Sequence, residues 1–62
     1  MVRLITTNDN LRAIRFYKNL GFQLVKVYPD AVNESRKIKP EIPLVNEEGI
    51  PINDELEFQL KI

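Results

Sequence analysis

The chain has neither cysteine nor histidine in its 62 residues. The first absence excludes a disulfide, and together they leave no typical zinc site, so neither usual staple of a small domain is at hand. Charge of one sign is not in excess either, since nine Lys and Arg balance nine Asp and Glu. That balance gives no general attraction to nucleic acid or to an anionic membrane. No apolar run approaches the roughly 20 residues that span a bilayer, and the N-terminus lacks a signal-peptide pattern. A soluble cytoplasmic protein with no membrane partner is the expectation. No internal repeat or low-complexity segment is visible, and the length permits one small domain. A chain of this size buries only about 60% of its unfolded surface, so its own core is marginal and a partner is expected.

The most specific stretch runs from Asn10 to Phe22. At roughly 100° per residue, Ala13, Ile14, Phe16, Tyr17 and Leu20 fall on one arc, and Arg12, Arg15, Lys18 and Asn19 on the other. This predicts a short helix over Leu11 to Leu20 with a core face and a basic face. Asp9 or Asn10 can cap its start by accepting a backbone N–H bond, and Gly21 can take the left-handed conformation that ends it. Phe22 then packs back over the last turn.

Around the helix the pattern is one of strands. Val2 to Thr7 is rich in β-branched residues and apolar on both alternating sets, which expects cover on both faces. Phe22 to Tyr28 forms a second strand that stops at Pro29. Asp30 can cap a short helix from Ala31 to about Ile38, which ends near Lys39 because Pro40 disfavours helical geometry before it. Pro40, Pro43, Gly49 and Pro51 punctuate a long polar connection. The final segment alternates Leu56, Phe58, Leu60 and Ile62 with Glu55, Glu57, Gln59 and Lys61, so one face is expected in the core and the other in water.

The pattern Asn10-x-x-Ala13-x-x-x-Tyr17-x-x-x-Gly21-Phe22 resembles the segment near the C-terminus of the GNAT acetyltransferases, enzymes that use acetyl-coenzyme A. The preceding strand ending in Thr6-Thr7-Asn8 is also typical, and the runs Ala31 to Pro43 and Gly49 to Glu57 look like the tail of one branch of that family. The family's phosphate loop, Arg/Gln-x-x-Gly-x-Gly/Ala opening a helix, has no counterpart here, because Gly21 and Gly49 are the only glycines. The resemblance therefore implies that residues 1–62 are the C-terminal part of a GNAT domain. Its fold would be α+β, in the order strand, helix, strand, short helix, strand, with the strand after the first helix pairing antiparallel with the last. The mixed sheet would be incomplete, with one edge and one helix face uncovered, and a partner chain or an oligomer would complete it.

The same resemblance assigns candidate roles. Tyr17 would be the general acid that protonates the departing coenzyme thiolate; in the isolated chain, which lacks the thioester site, its ring is expected to pack in the core. Asn10 and Ala13 would frame the pantetheine arm of acetyl-CoA, the cosubstrate, and Asn10 serves equally as an N-cap. Arg12, Arg15 and Lys18 read as a solvated face rather than a phosphate or nucleic-acid site. Glu47, Glu48, Asp54, Glu55 and Glu57 read as solvated surface, with no metal site, since no histidine and no calcium-type spacing accompanies them. Asn33-Glu34-Ser35 matches a glycosylation sequon, an accidental one in a chain without a secretion signal. Two functions follow as expectations. One is N-acetylation of an amine whose identity lies outside this stretch; the other is a non-catalytic module that oligomerises or complements a separate N-terminal half.

Overall fold

A computed structural model describes all of residues 1–62. Five elements follow in order: β1 (Val2–Thr7), α1 (Leu11–Asn19), β2 (Gln23–Tyr28), α2 (Ala31–Ile38) and β3 (Glu55–Leu60). The architecture is α+β. The three strands form one sheet in the order β1-β3-β2, and both pairings are antiparallel. The antiparallel pairing of β2 with β3 is the one expected, and β1 joins β3 antiparallel as well, so these three strands form a wholly antiparallel sheet. The cause is topological: α1 carries the chain from β1 to β2 in the same direction, and β3 returns between them. Both outer edges, β1 and β2, lack a neighbour, where one bare edge was expected.

The register places Leu4, Phe58 and Leu24 side by side across the three strands. Side chains alternate along a strand, so this row defines an apolar face, and α1 lies over it. Tyr17 of α1 stacks obliquely on Phe58 at 6.2 Å and on Phe22 at 5.7 Å between ring centroids. Phe58 is 0% exposed, and Phe22 and Val32 are the other buried apolar side chains. The core is therefore small. The shortest dimension of the chain is 14 Å, room for one helix layer on one sheet face but not for layers on both, given about 10 Å between packed layers.

Local chemistry explains the boundaries. Gly21 follows α1 with φ of +101°, a conformation that side chains with a Cβ rarely adopt, and its N–H donates to the Lys18 carbonyl at 3.0 Å. Phe22 donates to the Tyr17 carbonyl at 3.0 Å and turns back over the last turn. In β2 a bulge between Leu24 and Lys26 shifts the register by one. It keeps Leu24 and Val27 on the apolar face while Lys26 joins the opposite one. Asp30 precedes α2 as expected, but it adopts a left-handed conformation, φ 59°, and its side chain makes no cap bond to the backbone. Instead its carboxylate accepts from the Asn33 amide at 3.0 Å.

The connection from Lys39 to Asp54 is ordered by side chains. Arg36 donates to the carbonyls of Ile42 at 3.1 Å and of Pro43 and Ile52 at 2.6 Å each, and to the Asn33 amide oxygen. The Asn46 amide oxygen accepts from the N–H groups of Glu48 at 2.8 Å and Ile50 at 2.9 Å. This turn brings Val45 and Pro51 into an isolated antiparallel bridge. No helix is long and apolar enough to cross a membrane.

Candidate functional site

The end of β1 and the start of α1 bring the sequence-derived candidates together. Asn10 is the N-cap of α1, and its Oδ1 accepts the Ala13 N–H at 3.3 Å. Of the two possible caps, Asp9 takes no part; its carbonyl accepts from Leu11 at 2.9 Å, and its Oδ1 is buried with no partner. Ala13 and Tyr17 follow at helical spacing on one side of α1, and both are half-buried. The Tyr17 ring is held by Phe16 at 5.8 Å as well as by Phe22 and Phe58. That packing matches the reading of Tyr17 in the isolated chain. Its hydroxyl enters no hydrogen bond with the rest of the chain, in contrast to that of Tyr28.

A second asparagine, given no role by the sequence, anchors this corner. Asn8 Oδ1 accepts the N–H groups of Asn53 and Asp54, each at 2.9 Å, and its Nδ2 donates to the Pro51 carbonyl at 3.0 Å. Its own N–H donates to the Asp54 carbonyl at 2.9 Å. One amide side chain therefore ties the β1–α1 turn to the segment entering β3, and this fixes where α1 starts. Asn46 adds a second tie by donating to the Asp9 carbonyl at 3.2 Å. Only the run Asn8-Asp9-Asn10 signalled a turn; nothing local marked which asparagine would reach across the chain.

On the opposite face of the sheet lies the clearest departure from expectation. Glu57, assigned to the wet side of β3, is 6% exposed. Its carboxylate accepts from the Tyr28 hydroxyl at 2.5 Å, from Gln59 at 3.0 Å and from Arg3 Nε at 2.9 Å. Tyr28 and Arg3 sit diagonally across the two adjacent strands, within reach of long side chains, and Gln59 lies two residues along β3 on the same face. Strict alternation misplaced Glu57 because its three partners, rather than a covering layer, take it out of water. The Tyr28 hydroxyl, then the Gln59 amide and Arg3, hold the Glu57 carboxyl below the usual carboxylate range against the opposing effect of desolvation. The Tyr28 hydroxyl, donating to that carboxylate, is pushed above its ordinary value.

These two clusters differ in what they can do. A carboxylate held ionised and fully partnered is a poor general base near neutral pH, and Glu57 faces away from Tyr17. The α1 corner instead offers a tyrosine hydroxyl and a helix-capping amide on one side of a helix whose Tyr17 ring packs on Phe22 and Phe58. Arg12, Arg15 and Lys18 are exposed, as expected, and Arg12 and Arg15 border a shallow depression with Leu11 and Glu48. No group of three or more acidic side chains converges in a way that would hold a metal ion. Asn33 of the sequon is engaged with Asp30, Asn53 and Arg36.

Comparison with known proteins gives two similar sequences, both from Bacillus subtilis (strain 168). The chain is 54% identical over 57 residues to the uncharacterized protein YdhI, covering 92% of this chain and 36% of YdhI. It is 51% identical over 55 residues to the uncharacterized protein YxbD, covering 89% of this chain and 35% of YxbD. The chain thus spans about a third of the length of the curated relatives it matches. No family model matches the sequence, and no solved structure matches it.

Proposed function

We propose that this chain is the C-terminal part of a cytoplasmic acetyl-CoA-dependent N-acetyltransferase of the GNAT type, acting on an amine acceptor chosen elsewhere in the protein. The observation that carries the reading is the α1 corner. Asn10 caps the helix, Ala13 and Tyr17 follow on one side, and the Tyr17 ring is clamped while its hydroxyl is left free. Gly21 at positive φ, Phe22 folded back and β2 paired antiparallel with β3 agree with the same resemblance.

In this reading the acceptor nitrogen attacks the thioester carbonyl, the new C–N bond forms and the C–S bond breaks. Tyr17 donates its hydroxyl proton to the leaving thiolate, while the amine gives its proton to a base outside this chain. The Asn10 side chain and the backbone around Ala13 frame the pantetheine arm. A fixed phenol suits such a step because a positioned acid loses no orientation when the charge develops. The residues present fit the thioester end of the coenzyme only. Neither glycine opens a helix, so the backbone donors for the pyrophosphate must come from another segment.

Calorimetric titration of acetyl-CoA into the chain tests this. The expected result is a saturable heat that Asn10→Ala weakens and Tyr17→Phe leaves nearly unchanged, since the hydroxyl acts in turnover. No heat at millimolar acetyl-CoA from a folded chain would refute the reading for these residues. A second reading, a non-catalytic module that oligomerises or complements a separate half, is favoured by one observation. Only four of the 62 residues are buried, and Leu11 and Phe16 on α1 and Leu20 at its C-terminal cap are each more than half exposed.

A further inference from the structure

The chain enters α1 through an uncommon turn. Asn10 has φ of −83° and ψ of 69°, the angles of the central residue of an inverse γ-turn, and the matching bond is present, since Leu11 donates its N–H to the Asp9 carbonyl at 2.9 Å. An ordinary N-cap residue is more extended. The peptide group between Asp9 and Asn10 is planar, so pinning both its ends beneath the γ-turn bond sets where the Asn10 side chain points. Its N–H donates to the Thr7 carbonyl at 3.3 Å, and its carbonyl accepts from Leu11 and, at 3.2 Å, from the Asn46 amide. Thr7 and Leu11 are neighbours in sequence; Asn46 reaches in from 37 residues away.

Asn46 is itself held. Its Oδ1 accepts from the Glu48 N–H at 2.8 Å, an Asx-turn, and from the Ile50 N–H at 2.9 Å. Its backbone N–H donates to the Ile50 carbonyl and its carbonyl accepts from Gly49, each at 3.0 Å. With the Ile52 N–H on the Leu44 carbonyl at 2.9 Å and the bridge between Val45 and Pro51, residues 44–52 make a small hairpin. Arg36 ties its base at the carbonyls of Pro43 and Ile52. The Asn46 Nδ2 is left to reach Asp9.

We propose that Asn46 is a positioning residue: acting through the Asp9 carbonyl, it holds Asn10 in the inverse γ-turn and so aims the Asn10 carboxamide over the first turn of α1. The Ala13 N–H reports that aim, because it donates to the Asn10 Oδ1 at 3.3 Å, a long bond that a small rotation breaks. The consequence for acetyl-CoA rests on the coenzyme reading of Asn10. The tie itself does not.

Amide hydrogen exchange at Ala13, in a cycle that combines Asn46→Asp with Asn10→Ala, tests it. Asn46→Asp keeps an oxygen for Glu48 and Ile50 and loses only the donor to Asp9. The expected result is Ala13 exchange faster by roughly threefold to tenfold, the worth of one neutral hydrogen bond, with the amides of the β2–β3 ladder unchanged. Asn46→Ser, uncharged and too short to reach Asp9, should match it. In the Asn10→Ala background neither substitution changes Ala13 further, because Asn46 acts through Asn10. Additive effects, an unchanged Ala13 or a loosening of the whole sheet overturns the proposal. In the unsubstituted chain one Asn46 side-chain amide proton should exchange more slowly than those of the exposed Asn19; equal rates overturn the proposal whether or not a variant folds. Titrated with acetyl-CoA, the same cycle should show Kd raised by roughly threefold to tenfold in Asn46→Asp alone and no further change in Asn10→Ala. An unchanged Kd where the unsubstituted chain binds overturns the functional consequence. No response of the unsubstituted chain at millimolar acetyl-CoA refutes the coenzyme reading instead, and Ala13 exchange then decides on Asn46.

Discussion

Truncating Phe58 to alanine should remove a third or more of the stability of this chain. Phe58 is 0% exposed, flanked in register by Leu4 and Leu24 and capped by the Tyr17 ring at 6.2 Å. Phe→Ala in a core costs about 3–5 kcal/mol, part of it the loss of transfer energy and part the residual cavity. A chain of this length has roughly 3–9 kcal/mol of stability in all. The sheet is covered by one helix layer, so the site can relax partly, and a loss of about 3 kcal/mol is expected. Urea unfolding followed by far-ultraviolet circular dichroism reads it directly. Phe58→Leu, which keeps most of the volume, should lose about 1–2 kcal/mol. The reasoning is refuted if Phe58→Ala loses less than about 1 kcal/mol, because no fully buried aromatic comes out so cheaply.

Other expectations follow from the same contacts. Asn8→Ala removes three side-chain hydrogen bonds that join the β1–α1 turn to β3, and should cost about 1–3 kcal/mol in denaturant unfolding through the donors left unpaired. Gly21→Ala must adopt φ of +101° with its Cβ 3.3 Å from a Leu60 methyl, so a loss of about 1–2 kcal/mol is expected. The Glu57 carboxyl is depressed, chiefly by the Tyr28 hydroxyl. Its contribution is therefore complete above the ordinary carboxylate range and disappears as pH falls through the lowered value. Tyr28→Phe should raise the Glu57 value in a carbon-13 titration, and Glu57→Gln should flatten this part of the acid limb of stability. For Tyr28 the shift is upward, so its stabilising effect holds below the ordinary tyrosine range and is lost as pH rises through the raised value; ultraviolet titration should find it ionising later in the folded chain than in urea.

Local signals carried much of the secondary structure. The β-branched run defined β1 to the residue, and the amphipathic spacing with Asn10 before and Gly21 after defined α1 to within one residue of its end. Pro29 marked the end of β2, and Pro40 bounded α2 for the steric reason anticipated. What local pattern could not carry was long-range. No local signal placed β3 between β1 and β2, the order that makes these three strands wholly antiparallel. The bulge at Leu24 to Lys26 is likewise a property of the pair rather than of one strand.

The same division holds for the site. Tyr17 as an inward ring is visible from spacing alone, and the sequence narrows the cap to Asp9 or Asn10, of which the structure takes Asn10. The roles of Asn8 and Glu57 are not visible, since the partners of Asn8 lie 43 to 46 residues away and the Tyr28 hydroxyl that Glu57 accepts from lies 29 residues away, with Arg3 farther still. Arg36 reads as one more charge on α2, yet it donates to three carbonyls of the following connection. Alternation says which face a strand residue takes; it does not say whether neighbouring polar side chains will close over it.

The proposed function puts the thioester end of the coenzyme at the α1 corner. Mapping backbone amide shifts during titration of millimolar acetyl-CoA, with coenzyme-free buffer as the reference, tests that placement even when affinity is low. The account predicts shifts concentrated from Thr6 through Ala13 and at Tyr17, reduced in Asn10→Ala. Shifts that are absent there, or that gather on the Arg3, Tyr28 and Glu57 face instead, would contradict it.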